Sequence, residues 1–170
     1  MEILTIGFEE QLETLRRVAA PTTNINGEIV KLAGEMIETM INGEGIGLAG
    51  PQVGRLDRIF TLKIGEDDPM VFINPEITAT SAELSSYEEG CLSIPGQYAE
   101  VRRPAELQIQ AWNTRGRPFT IEVNDILSTV IQHELDHLNG VLFIDHLSER
   151  KRKKILGRFD VEIGDYPGVK

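Results

Sequence analysis

Residues 132–140 read Gln-His-Glu-Leu-Asp-His-Leu-Asn-Gly and contain the pattern H-E-x-x-H. Two histidines four positions apart lie one above the other on a helix, so His133 and His137 can bind one metal ion. Glu134 lies about 100° further round the helix, close enough to exchange a proton with a water that the metal activates. The alternative is a buried helix whose histidines share a face by chance. We disfavour it because the chain has only three histidines.

The residues around this motif predict a buried central helix. Asn124-Asp125 is typical of an N-cap, and Asn139-Gly140 is a stop signal of the left-handed-glycine type. Three side chains lie within about 60° of the first histidine and form an apolar floor: Ile126, Thr129 and Val130. A second apolar stripe lies about 120–200° round the helix: Leu127, Ile131, Leu135 and Leu138. The remaining residues form a polar edge: Asp125, Ser128, Gln132 and Asp136.

A metal site on this helix requires a third ligand. The long zincin pattern would place a histidine at position 143, but the chain has Phe143. His146 lies beyond the helix stop, where a lone histidine is more often a hydrogen-bonding residue. The only cysteine, Cys91, lies in the run EGCLSIPG at residues 89–96. It is either a small buried hydrophobic residue or a thiolate ligand. Beside H-E-x-x-H we favour the thiolate, because two histidines and one cysteine leave the open position of a catalytic site.

Three motifs, in this order, resemble those of the bacterial-type peptide deformylases. The family patterns are G-φ-G-φ-A-A-x-Q, E-G-C-φ-S and H-E-φ-D-H, where φ is apolar. They read GIGLAGPQ at residues 45–52, EGCLS at residues 89–93 and HELDH at residues 133–137. The resemblance covers roughly residues 1–147. One departure is Gly50 in place of the second alanine, and losing this methyl group is expected to loosen local packing by about 0.5–1 kcal/mol.

The resemblance implies a metal-dependent hydrolase that removes the formyl group from the N-terminal formyl-methionine of newly synthesised proteins and releases formate. It assigns three metal ligands: Cys91, His133 and His137. It further implies that Glu134 transfers the proton, while the Gln52 side-chain amide and the Leu92 backbone N–H stabilise the oxyanion. The implied metal is one divalent ion, with Fe²⁺ favoured and Zn²⁺, Ni²⁺ or Co²⁺ as alternatives.

The same motifs predict how a formyl-methionyl peptide binds. The loop at Ile46-Gly47 can pair with an extended peptide as an added strand, and Gly90 lies beside the predicted cysteine ligand. The slot for the methionine side chain is formed by Ile126, Thr129 and Val130. The hydroxyl of Thr129 adds polarity there, which is expected to loosen the preference for one side chain.

Two other functions are compatible with part of this evidence. A small H-E-x-x-H metallopeptidase would share the helix and its glutamate, but it would not require Gln52, Cys91 and the glycine loop together. A non-catalytic, ribosome-binding relative would keep the fold and lose Glu134 or a metal ligand, none of which is lost here.

Length and charge limit the remaining possibilities. The chain of 170 residues is expected to form one domain, with a core at residues 1–147 and a basic helix with a loose tail at residues 148–170. A net charge of −10 argues against DNA and against anionic membranes as partners. No signal segment or transmembrane run is visible, and one cysteine needed as a thiolate suits a reducing interior, so we expect a cytoplasmic protein.

The run at residues 148–156, SERKRKKIL, predicts a short basic helix in an otherwise acidic chain. Such a run is usually the solvated face of a helix. A sharper hypothesis is contact with ribosomal RNA, which would suit an enzyme that acts on nascent chains.

The remaining patterns predict an α+β fold, in which mixed or antiparallel sheets pack around the central helix. Helices are predicted at residues 9–18 and 27–42, the second from its helical repeat of apolar residues. Strands are predicted at residues 58–64, 70–74, 76–80 and 83–87, with a hairpin at residues 106–123 and an extended piece at residues 141–144. On the polar edge of the helix, Asp136 is expected to pair with Arg102 or Arg103.

Overall fold

The computed structural model describes residues 1–160, so most of the predicted loose tail lies outside the described residues. The helices are α1 (Glu9–Leu15), α2 (Gly27–Asn42), α3 (Asp125–Leu138) and α4 (Glu149–Leu156). The strands are β1 (Gly47–Ala49), β2 (Ile59–Leu62), β3 (Met70–Thr80), β4 (Leu84–Cys91), β5 (Ile94–Pro104), β6 (Glu106–Trp112) and β7 (Pro118–Asn124). Single 3₁₀ turns occupy Gly50–Val53, Phe143–His146 and Gly157–Phe159.

The strands form two antiparallel sheets. One sheet has five strands in the order β1-β2-β3-β6-β7, and the other is the hairpin of β4 and β5. Helix α3 contacts strands of both sheets. The predicted α+β class, with antiparallel sheets around a central helix, is therefore confirmed.

Two clusters of the core lie near α3. Towards the large sheet, Val130 and Ile131 pack into a cluster with Phe60 and Phe72, whose stacked rings have centroids 4.7 Å apart. On the hairpin side, Ile94 and other side chains of β5 pack against the segment that follows α3. The first cluster fixes α3 against the large sheet, and the second fixes the segment after α3 against the hairpin, because a buried core side chain tolerates little displacement.

The polar edge predicted for α3 is partly buried. Ser128 is fully buried and Gln132 is 9% exposed. Their side chains both donate to the backbone carbonyl of Pro104 over 3.0 Å. The hairpin therefore covers this edge and supplies the acceptor that a buried hydroxyl and amide require. The predicted stop at the other end is confirmed, since Gly140 has a φ of 73°.

Some strand predictions need correction. The hairpin β6–β7 forms as predicted around its polar turn. The two short strands predicted between residues 70 and 80 are one strand, β3, with an irregularity between Ile73 and Glu76 where Asn74 has a φ of 50°. A bulge of this kind interrupts the side-chain alternation without ending the strand. Strand β5 was not predicted, because Pro95 and Gly96 resemble a turn.

The extended piece predicted at residues 141–144 is also wrong. Phe143–His146 is a 3₁₀ turn, and the backbone N–H of Leu142 donates to the Asp145 carboxylate over 2.9 Å. Asp145 is in turn paired with Arg16 from the other end of the chain. The sequence resembled a strand because Leu142, Phe143 and Ile144 are consecutive apolar residues, and all three are buried. The hydrogen bond to the Asp145 side chain instead sets the backbone in a turn conformation.

Among residues 1–160, no helix is both long enough and apolar enough to cross a membrane.

Candidate metal centre

Three predicted ligands converge at one point. Cys91 ends β4, next to the two-residue turn that leads into β5, while His133 and His137 lie one turn apart on α3. One ligand atom from each residue lies within 4.8 Å of the others. The Cys91 Sγ atom is 3.3 Å from Nε2 of His137. The helix thus supplies two ligands by local geometry, and the hairpin brings the third.

The donor set fits a divalent transition metal. One thiolate and two imidazoles are ligands that zinc, iron and nickel accept, and three protein ligands leave a position open. His133 is 8% exposed and His137 is 1% exposed, so both rings are shielded from bulk water. No other metal-ligating group was found within residues 1–160. His146, which sequence reasoning had considered as a ligand, instead contacts Asp136 over 2.8 Å.

Glu89 holds His133 in the orientation that a ligand needs. Its carboxylate lies 2.8 Å from Nδ1 of His133 and receives two hydrogen bonds from Arg103, at 2.7 and 3.0 Å. Although burial raises the pKa of Glu89, the hydrogen bonds from His133 and Arg103 lower it to about 2. A charged Glu89 therefore accepts a hydrogen bond from Nδ1–H of His133, which leaves Nε2 as the ring atom that can bind a metal.

The same arginine connects the hairpin to α3. Nη1 of Arg103 donates to Asp136 over 2.9 Å, so Arg103 is the predicted partner of this aspartate and Arg102 is not. Arg103 is only 4% exposed, and each of its contacts on Glu89 and Asp136 is an ion pair. These buried ion pairs join β4, β5 and α3 next to the ligand His133, which Glu89 also contacts.

Electrostatics keep His137 suitable as a ligand. Burial is the main cause that lowers its pKa well below the usual value, and the nearby charge of Arg103 lowers it further. A neutral imidazole keeps the lone pair that a metal requires. The Nδ1 atom of His137 is buried without a hydrogen-bond partner among the described residues.

Glu134 lies in the same site and has an unusual environment. Its side chain is 4% exposed, and its Oε2 atom is buried without a hydrogen-bond partner in the described part of the chain. Burial raises the pKa of Glu134 to about 7. A carboxyl group with this pKa can both accept and return a proton near neutral pH.

Gln52 and Leu92 flank the cysteine ligand. The Gln52 side-chain oxygen accepts from the Ala49 backbone over 2.9 Å, which fixes the amide. Its Nε2 atom donates to the Ser93 hydroxyl over 3.1 Å and lies 3.5 Å from the Cys91 sulfur. Leu92 follows Cys91 in the hairpin turn. Both residues therefore lie beside the ligand sulfur.

A cavity of about 500 Å³ opens onto these groups. Its lining includes two of the ligands, Cys91 and His133, together with Glu134. It also includes every residue that the sequence predicts to contact a peptide: Ile46, Gly47, Gly90, Ile126, Thr129 and Val130. The predicted site residues are thus brought together around one space.

Sequence reasoning missed three residues near this space. Glu89 and Ser93 lie inside the E-G-C-φ-S motif, so the motif carried the signal, but their partners only become visible once the hairpin meets α3. Tyr98 lines the cavity because the β4–β5 register places it opposite Gly90. No local pattern predicts that pairing, since β5 itself was not predicted.

The expectation for Gly50 is wrong. This residue is buried, and a Cβ atom placed on it would lie 2.7 Å from the Asp57 carbonyl oxygen and 2.8 Å from that of Arg55. A methyl group would therefore collide with rigid backbone. In this chain Gly50 permits close packing rather than loosening it.

Comparison with known proteins gives one consistent result. Residues 1–153 match the family model described as Polypeptide deformylase. The chain is 46% identical to a peptide deformylase of Agrobacterium fabrum over 149 residues, covering 85% of this chain and 88% of that protein. It is 47% identical to one of Rhizobium meliloti over 149 residues, covering 85% and 86%.

Solved structures agree with the sequence relatives. A peptide deformylase from Synechococcus elongatus in complex with actinonin has a TM-score of 0.88 at 34% identity, covering 96% of this chain and 89% of that one. A peptide deformylase from Thermotoga maritima has a TM-score of 0.81 at 40% identity, covering 86% and 97%.

The contact between Gly47 and Glu134 generates a prediction about stability. A Cβ atom on Gly47 would lie 2.2 Å from Oε1 of Glu134, inside the buried site. Gly47→Ala is therefore expected to lower the free energy of unfolding by about 1–3 kcal/mol, as overpacking does. Urea denaturation of the chelator-treated protein measures this change.

Gly90→Ala provides the matched control. Its Cβ atom would lie 2.5 Å from the ring of Tyr98, but that side chain is 67% exposed and can turn away. Its unfolding free energy is expected to change by no more than about 0.5 kcal/mol. Equal losses in the two variants would show that Gly47 is not specially constrained by Glu134.

Proposed function

The chain belongs to the polypeptide deformylase family and removes the N-formyl group from nascent polypeptides, and from this premise we propose how its residues do so. The observation that carries the proposal is the convergence of Cys91, His133 and His137 next to the buried carboxyl group of Glu134. The reaction is hydrolysis of a formamide. Water oxygen bonds to the formyl carbon, the C–N bond breaks, and formate and a free methionine amine are released.

We propose that Cys91, His133 and His137 hold one divalent cation, with Glu89 orienting His133. When bound, the cation supplies Lewis-acid activation, lowering the pKa of water from about 15.7 towards 7. Glu134 takes the proton of the attacking water and delivers it to the leaving amine, a role worth about 10²–10⁴-fold in rate. Support comes from its pKa of about 7 and from its Oε2 atom, which has no partner among the described residues.

Two donors are proposed for the developing oxyanion. The Gln52 amide is held rigid by Ala49 and Ser93, so its Nε2 group stays beside the Cys91 sulfur. The Leu92 backbone N–H is the second donor. Loss of one such donor typically costs about 2.7–4 kcal/mol of transition-state stabilisation, because a fixed dipole needs no reorganisation.

The peptide is proposed to bind along β1. This strand is at the edge of the five-stranded sheet, so an extended substrate can pair with it near Ile46 and Gly47. Gly90 also lines the cavity. The methionine side chain then enters the slot made by Ile126, Thr129 and Val130, on the same face of α3 as the histidines.

Formyl-Met-Ala, acetyl-Met-Ala and a peptide with an internal Met-Ala bond separate the candidate functions. The metal-loaded protein is expected to release formate from the first and to leave the others intact. Cleavage of the internal bond would favour a metallopeptidase, and lack of turnover with metal bound would favour a non-catalytic relative.

Glu134→Gln is expected to keep the metal and lose turnover by about 10²-fold or more, since an amide cannot accept the proton.

Glu88→Gln is the control for Glu134→Gln. Glu88 also lines the cavity, but it is exposed and lies on the hairpin. The control is expected to retain turnover. Wild-type rates in the Glu134 variant would refute the assigned role, provided that elemental analysis shows equal metal content in both proteins.

We propose Fe²⁺ as the native metal, with Zn²⁺, Ni²⁺ or Co²⁺ as possible substitutes. The donor set suits several of these ions, so ligand type alone does not select one. Anaerobic purification is expected to give about one iron per chain, with activity that falls on exposure to air. Zinc at the same occupancy, with full activity that air does not affect, would contradict this assignment.

We propose that the protein acts in the cytoplasm, where nascent chains begin, with residues 1–147 as the catalytic core. Helix α4 packs on this core through the buried Ile155 and Leu156. Its exposed basic side chains include Lys151 and Lys154. We propose that this basic face contacts ribosomal RNA.

Reversing two charges tests the ribosome contact. Co-sedimentation of the protein with ribosomes is expected to weaken as salt rises, and to weaken further in the double variant Lys151→Glu and Lys154→Glu. The exposed turn between β6 and β7 provides a matched control, the double variant Arg115→Glu and Arg117→Glu, which has the same change in net charge. Equal binding by both double variants, or binding that salt does not affect, would contradict the contact.

A further inference from the structure

Thr129 is a polar residue in an otherwise apolar slot. It is 3% exposed, lines the cavity, and lies one helical turn before His133 on the same face of α3. Its neighbours in the slot are Ile126 and Val130, which offer no hydrogen-bonding side-chain atom. The hydroxyl is therefore the only polar side-chain group on this part of the wall.

The fold does not use this hydroxyl. Within residues 1–160, the Thr129 hydroxyl has no hydrogen-bond partner, and it is not among the fully buried polar atoms. Ser128, the preceding residue, is different, because its hydroxyl donates to the Pro104 carbonyl over 3.0 Å. The Thr129 oxygen thus remains reachable from the cavity and available to whatever fills it.

A side chain that fills the slot removes the Thr129 hydroxyl from water. A wholly hydrocarbon occupant would leave the hydroxyl unpaired, which is unfavourable. An occupant with an acceptor atom at that depth would instead receive a hydrogen bond. Methionine carries such an atom, because its thioether sulfur is a weak acceptor.

We propose that Thr129 is a specificity-determining residue whose hydroxyl donates a hydrogen bond to the sulfur of the formyl-methionine side chain. The inference rests on the proposed function, in which this side chain occupies the slot. It differs from a general effect of polarity, because it predicts selection for a heteroatom and not a loosened preference. The hydroxyl acts on substrate choice and takes no part in proton transfer.

Norleucine tests this proposal, because it replaces the sulfur of methionine with a methylene group of similar size. Values of kcat/KM are measured for formyl-Met-Ala and formyl-norleucyl-Ala, with wild type, Thr129→Val and Thr129→Ser, each at known metal content. Wild type is expected to prefer methionine by about 2- to 10-fold, the range of one modest hydrogen bond. Thr129→Val keeps the shape of the side chain and should remove the preference, whereas Thr129→Ser should retain it.

The ratio of the two substrates separates the possible failures. An unchanged ratio in Thr129→Val, with formate still released, would overturn the role of Thr129 and leave the proposed function intact. No formate from either peptide with metal-loaded wild type would overturn the proposed function itself, and this inference with it. If Thr129→Val does not fold, Thr129→Ala replaces it, because alanine and serine differ by one oxygen atom.

Discussion

The ion pair between Arg103 and Glu89 is the interaction on which the site depends. Burying a charge costs several kcal/mol unless good partners compensate it, and here each charge has more than one. Arg103 donates to Glu89 through Nε and Nη2 and to Asp136 through Nη1, while Glu89 also contacts His133. One guanidinium thus ties both hairpin strands to the helix and sets the orientation of a ligand.

Two buried carboxyl groups of the site, Glu89 and Glu134, have pKa values shifted in opposite directions. Glu89 is buried yet remains charged, because Arg103 and His133 hydrogen-bond to it. Glu134, next to His133 on α3, is also buried but has no hydrogen-bonded cation among the described residues, so burial raises its pKa to about 7. The two carboxyl groups therefore suit different tasks. Glu89 suits the orientation of a ligand, and Glu134 suits the proposed exchange of a proton.

Local patterns were sufficient for part of the molecule. The histidine ligands follow from helical periodicity, and the bounds of α2 and α3 follow from apolar repeats and the stop at Gly140. The cysteine could be chosen because it is the only one and because of its motif. Strand β5 and the turn at residues 143–146 were missed, since each depends on a distant partner: β4 for the strand, and Arg16 with Asp145 for the turn. The close packing at Gly50 also depends on a neighbouring loop that no local pattern describes.

The origin of the three ligands explains why the centre exists only in the folded chain. His133 and His137 are near each other in any helix, but Cys91 is 46 residues from His137 in sequence and meets it through the hairpin. Metal binding is therefore linked to folding, because an ion that requires all three ligands stabilises only the state in which β4, β5 and α3 are packed together. Arg103 and Glu89 stabilise that same packing without contributing a ligand. The contacts that shape the metal centre and the contacts that hold the two sheets around α3 are, to a large extent, the same contacts.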